Sequence, residues 1–203
     1  MNFPDKKYNI IYADPPWNYR DKRDKHPRLC GGAAAHYKTM KIEDIKNLPV
    51  RNIADENCIL FLWATFPCLP EALEVIKAWG FEYKTLGFNW IKTNKKNDKP
   101  FFGIGHYTKS GSEICLIAIK GRPNIIDNSI SSTLIAPREE HSKKPDIVRD
   151  RIVQLCGDVP RIELFARQVA NGWDGWGDEY ANNNNSQGVT GEREIDLGQT
   201  SSS

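Results

Sequence analysis

The sequence predicts an α/β domain built on a mostly parallel sheet. Apolar runs of strand length recur at Asn57–Ala64 and Ser112–Lys120. They are nearly continuous rather than alternating, as in strands covered on both faces. Stretches with helical spacing stand between the strand-like ones, the order of an α/β sheet. A third run, Tyr8–Ala13, leads directly into Asp14-Pro15-Pro16-Trp17. Prolines cannot donate to a sheet ladder and push the preceding residue out of the helical region, so the strand must end in a stiff, extended turn. In open α/β sheets the carboxyl ends of strands are where ligands bind.

That turn suits one kind of chemistry. An amino group on an aromatic ring, such as adenine N6, is a poor nucleophile because its lone pair is conjugated into the ring. It becomes attackable when acceptors hold its N–H bonds in a tetrahedral arrangement. Asp14 is acceptor-only when ionised, and Pro15 offers a carbonyl with no competing N–H. Trp17 is a candidate stacking surface for an unstacked base. The same four residues could serve merely to terminate a strand.

Composition narrows the partners. The chain has 203 residues, enough for one α/β domain, and a formal net charge of +2. That is too little for an architectural DNA binder, so nucleic-acid contacts would come from local patches. The five cysteines form no Cys-x-x-Cys pair, which argues against a zinc site or a disulfide framework; no metal is expected. Cys58 and Cys115 read as core strand residues. No stretch approaches the ~20 apolar residues of a membrane span. No apolar signal region opens the chain, so the expected compartment is the cytoplasm.

The remaining elements follow in order. Asn18–Thr39 is a long polar segment holding Arg20, Arg23, Gly31 and Gly32 and closed by His36 and Tyr37. It reads as a lid or nucleic-acid-contacting loop, or as a solvated loop. Lys41–Leu48 reads as a short helix, and Pro70–Trp79 as a second with Leu73, Ile76 and Lys77 at helical spacing and Gly80 as its stop. Phe81–Thr93 reads as one or two strands. Lys92, Lys95, Lys96 and Lys99 then cluster ahead of Phe101, Phe102, Gly103 and Gly105, which suits a flexible nucleic-acid-facing loop or an ordinary solvated connection. Residues 124–140 read as irregular. A helix is expected from about Ser142 to Cys156, with Ile147, Ile152, Val153 and Leu155 as its apolar set. Arg161–Arg167 is the last clear strand, and 181–203, almost without apolar residues, reads as a disordered tail after a single domain over 1–180.

Several of these stretches together resemble one family. They are Ala13–Trp17, His36–Met40, Phe61–Trp63, Gly111–Glu113 with Leu116 and Lys120-Gly121, His141–Pro145, and Glu163–Arg167 with Gly172–Asp174 and Trp176-Gly177. The set, in this order, resembles the adenine-N6 methyltransferases of the mRNA adenosine methyltransferase type, the MT-A70 family, in a compact bacterial or phage form. The resemblance implies a Rossmann-like S-adenosylmethionine-dependent methyltransferase fold in permuted order, with the catalytic motif Asp14-Pro15-Pro16-Trp17 first and the cofactor strand last.

By the same resemblance, Asp14 meets the cofactor amino group, Lys144 its carboxylate and Arg167 its ribose. Glu163 and Phe165 belong to the cofactor strand, and Asp178 and Glu179 take the place of an amide pair at the adenosine end. Tyr37, Glu113 and Ser142 line the adenine pocket. The eukaryotic His and Asn after the Arg167 position are replaced by Gln168-Val169-Ala170-Asn171, leaving Asn171, one place displaced, as the nearest substitute. Arg20, Arg23, Lys92 and Lys95 would hold phosphates. The expected substrate is DNA, with RNA or a silent nucleic-acid-binding subunit as alternatives. The expected assembly is a homodimer or a heterodimer with a related subunit.

Overall fold

The computed structural model describes residues 2–18, 39–104, 107–139, 143–168, 170–178 and 180. The segment from Asn18 to Thr39 therefore lies almost wholly outside the described residues, with Arg20, Arg23, Cys30, His36 and Tyr37. Ser142, Glu179 and the tail 181–203 lie outside them too.

The described chain forms β1 (Tyr8–Ala13), α1 (Ile42–Lys46), β2 (Ala54–Ala64), α2 (Leu69–Ala78), β3 (Glu82–Thr93), β4 (Ser112–Lys120), β5 (Thr133–Pro137), α3 (Ile147–Cys156), β6 (Arg161–Leu164) and β7 (Asp174–Trp176). The strands join in one sheet of order β5-β3-β4-β2-β1-β6-β7. Every pairing is parallel except those of β4 with β2 and β3. The sheet is thus mostly parallel, as the sequence predicts.

Period-2 alternation sorts β1 between two cores. Ile11 and Ala13 join Leu60, Leu62, Val75, Ile76 and Trp79 beneath α1 and α2. Ile10 and Tyr12 join Phe61, Trp63, Trp90, Cys115, Val148 and Ile152 beneath α3. Cys58 and Cys115 are fully buried. The Trp79 indole N–H donates to the carbonyl of Ile45 at 2.9 Å, tying α2 to α1.

Several elements differ from the sequence reading. Phe81–Thr93 resolves into one strand, β3, whose register shifts between Tyr83 and Thr85 and between Leu86 and Phe88 against β4. Those irregularities break the alternation that would have marked it as one strand. Residues 133–137, within the stretch read as irregular, form edge strand β5, of which only Leu134 is buried. The 143–146 lead-in is not helical, and α3 begins at Ile147. Its buried face is Val148, Ile152 and Cys156, spaced by four, while Ile147 is 47% exposed. On α2 the buried face is Ala72, Val75 and Ile76; Leu73 is exposed. The last predicted strand stops at Leu164 because Phe165 adopts φ +61°. Beyond it the three-residue β7 pairs with β6.

Candidate active site

β1, β2, β3 and β6 all point their carboxyl ends at one edge of the sheet, and antiparallel β4 begins there. Asp14 leaves β1 at this edge, Glu113 enters β4, and Lys144 arrives on the segment leading to α3.

The Asp-Pro-Pro-Trp turn is pinned from three sides. The backbone N–H of Trp17 donates to the Pro15 carbonyl at 2.8 Å, and that of Met40 donates to the Pro16 carbonyl at 2.9 Å. The Trp17 indole N–H donates to the Trp63 carbonyl at 3.0 Å. Trp17 is 7% exposed and belongs to the core beneath α1 and α2. The open stacking face expected of it is therefore corrected: the ring anchors the turn. The Pro15 carbonyl, having accepted one hydrogen bond, keeps a second lone pair.

Alternating charges meet beside the turn. Lys144 Nζ lies 2.7 Å from Asp14 Oδ2 and 3.2 Å from Glu113 Oε2. Glu113 is also held by Lys92, from β3. All four side chains are largely buried. Burial alone would push Glu113 up, but Lys144 and Lys92 hold its carboxyl below the usual carboxylate range. Burial alone would pull Lys144 down, yet Asp14 and Glu113 keep its ammonium above the usual lysine range. Lys92, expected at a phosphate, stands instead beside Glu113 and over the Trp90 ring, 4.8 Å from its centre. Lys95 is exposed on the connection after β3.

The last strand places its residues differently. Glu163 stands opposite Tyr12 in the β1–β6 register and faces α3. Arg149 grips it along one edge of the guanidinium, Nε and Nη2 donating to the two carboxylate oxygens at 2.6 Å and 2.9 Å. Burial is the larger influence on Glu163 and pushes its carboxyl up, with Arg149 pulling it back. Phe165, in its left-handed conformation, meets Trp176 edge-on at 5.6 Å. Gly177 packs so closely that an added Cβ would lie 2.7 Å from the Ala166 carbonyl oxygen. This crossing fixes the backbone on which Arg167 and Asp178 stand. Asn171 and Asp178 are exposed.

Two residues that the sequence does not mark hold the site. Arg149 neutralises Glu163, and Tyr12 accepts the Trp63 indole N–H at 2.7 Å. Strand parity alone could have placed Tyr12 and Glu163 on the α3 side; nothing in the sequence pairs Arg149 with either.

The arrangement fits S-adenosylmethionine by its charges. The amino-acid end of that cofactor carries an ammonium and a carboxylate on one carbon, and Asp14 and Lys144 present the opposite charges side by side at the reactive edge. Among the described residues, no group of His, Cys, Asp and Glu could hold a metal ion, and no helix is long and apolar enough to cross a membrane.

Comparison with known proteins agrees with this geometry. Residues 8–179 match the family model described as MT-A70. The type II methyltransferase M.MunI of Mycoplasma sp is 36% identical over 196 residues, covering 89% of this chain and 81% of that protein. The N(6)-adenosine-methyltransferase MT-A70-like protein of Arabidopsis thaliana is 29% identical over 83% of this chain and 23% of its own length. The human N(6)-adenosine-methyltransferase catalytic subunit METTL3 is 29% identical over 79% of this chain and 26% of its own length. The chain thus spans most of the Mycoplasma relative and a minor part of the two eukaryotic ones. With the family model covering every strand of the described sheet, the chain belongs to the MT-A70 family of S-adenosylmethionine-dependent adenine-N6 methyltransferases.

Proposed function

We propose that this chain methylates N6 of adenine in DNA, acting on a base turned out of its duplex. The single observation that carries the reading is the Asp14–Lys144 pair, 2.7 Å apart beside the Pro15 carbonyl at the carboxyl end of β1. Support for DNA over RNA comes from the 36% identity to a type II methyltransferase, against 29% to the N(6)-adenosine-methyltransferases.

Bound S-adenosylmethionine supplies an electrophilic methyl group on a sulfonium. The chain's own residues position the amine. Asp14 and the Pro15 carbonyl accept from the two N6 hydrogens, turning the nitrogen lone pair out of the ring plane. After direct displacement the surplus proton leaves N6, through Asp14 to water. Positioning of this kind can supply about 7–11 kcal/mol of the barrier, against a few kcal/mol for taking the base out of its stack. Lys144 would hold the cofactor carboxylate, and Arg167, Asn171 and Asp178 would hold its ribose and adenosine end. Glu113 lines the adenine pocket. Residues 1–180 act as one methyltransferase domain in the cytoplasm, as a homodimer or beside a related subunit.

The test is transfer of a labelled methyl group to duplex DNA, single-stranded DNA and RNA of matched sequence, with nucleoside analysis of the product. N6-methyladenine in DNA, lost in Asp14→Ala, is expected. Product in RNA alone would overturn the choice of DNA. Absence of cofactor binding would overturn the enzyme reading and favour the silent subunit.

A further inference from the structure

The connection between β3 and β4 carries apolar side chains that the fold does not use. Phe102 is 62% exposed, Ile104 83% and Tyr107 101%. Phe102 and Ile104 are two apart in an extended segment, so they share a side. The segment is not loosely attached. The N–H of Lys92 donates to the Gly111 carbonyl and that of Phe101 to the Lys92 carbonyl, both at 2.8 Å. Gly103 and Ser110 form an antiparallel bridge. Gly111 lies so close to Phe101 that a Cβ would stand 2.5 Å from the Phe101 carbonyl oxygen. The Arg138 guanidinium caps the Phe101 ring at 4.1 Å.

A rooted arm therefore projects apolar groups into water from the reactive edge. Its root is continuous with Ser112 and Glu113, so the arm and the adenine pocket share one strand. Exposed cations surround it: Lys95, Lys96, Lys99, Lys109 and Arg138, against Asp98 and Glu139. Exposed cations beside exposed apolar side chains on one arm match a partner that is anionic outside and flat and apolar within, which is a base-paired duplex.

We propose that Phe102, Ile104 and Tyr107 form a wedge that enters the duplex and fills the stack vacated by the target adenine. This rests on the reading that the chain acts on a base turned out of duplex DNA. The wedge acts on the helix, not on the reacting atoms. Its contribution is needed where a paired base must leave its stack and unnecessary where no pair has to be broken.

The test compares the full chain with the variant Phe102→Ser/Ile104→Ser/Tyr107→Ser on matched duplex, on duplex with the target adenine opposite an abasic site, and on single-stranded DNA. On matched duplex kcat/KM is expected to fall roughly tenfold or more. The rise in 2-aminopurine fluorescence at the target position should be lost with it. Activity on single strands should persist, which also reports that the variant is folded, and the abasic-opposed duplex should recover most of the loss. An equal loss on all substrates would mean a grip on the backbone, and no loss on matched duplex would mean an idle arm; either overturns the wedge. A wild-type chain that methylates only RNA would overturn the DNA reading instead, and the same variant on paired and unpaired RNA would then decide the wedge separately.

Discussion

The indole N–H of Trp17 donates to the backbone carbonyl of Trp63 at 3.0 Å, joining the turn after β1 to the end of β2. The ring is 7% exposed and packed in the core. Trp17→Phe should therefore lose the hydrogen bond and leave the Trp63 carbonyl unpaired, lowering stability by about 1–3 kcal/mol. Trp17→Ala should lower it by about 3–5 kcal/mol, because a cavity is added. Urea denaturation measures both. A Trp17→Phe variant of unchanged stability but impaired substrate binding would return the ring to the stacking role.

Lys144 stands between two carboxylates. Lys144→Met should weaken S-adenosylmethionine binding by about 2–5 kcal/mol, since it removes a buried partner of an ionic group. Titration calorimetry reads this directly. Binding within twofold of wild type would show that the cofactor carboxylate is held elsewhere.

Acid should weaken the fold through Glu113. Its carboxyl lies below the usual range in the folded chain, with burial opposed by Lys144 and Lys92. The stability it gives is therefore complete above that range and is lost as pH falls through the depressed value. Lys144 acts in the reverse sense: its ammonium is held above the lysine range by Asp14 and Glu113. Its contribution is complete below that range and is lost as pH rises through the raised value. Glu113→Gln should be less stable than wild type near neutrality, and the gap should close below about pH 4. A gap independent of pH would contradict the ionised state of Glu113.

The Arg149–Glu163 pair should behave as a unit. Arg149→Met alone leaves a buried carboxylate and should cost about 3–5 kcal/mol of stability. Combining it with Glu163→Leu should recover much of that loss. The double-mutant cycle measures the coupling; additive effects would mean that the two side chains act independently.

The sheet was legible where strands are buried on both faces. Ser112–Lys120 is the predicted strand to the residue, and Tyr8–Ala13 likewise. Edge strands were not, because β5 buries only Leu134 and β7 has three residues beside glycines. The approach of Asp14, Glu113 and Lys144 could be expected only from the family likeness, since no local pattern joins residues this far apart in sequence. Sequence gave no sign that Lys92 turns inward to Glu113: a lysine among lysines reads as surface charge. Trp17 misled for a related reason, since an aromatic ring in a turn does not reveal which of its faces the core will cover.

Among the described strands, β4 alone runs against its neighbours. It pairs with β3 at the reactive edge, so the stretch between them joins two neighbouring antiparallel strands. Its length can change without altering sheet order or register, and each doubling of a loop adds only about 0.6 kcal/mol of closure entropy. Reach and reaction are therefore separable in this architecture. The stretch between β3 and β4 can lengthen or shorten while Asp14, Lys144 and Glu113 stay in place.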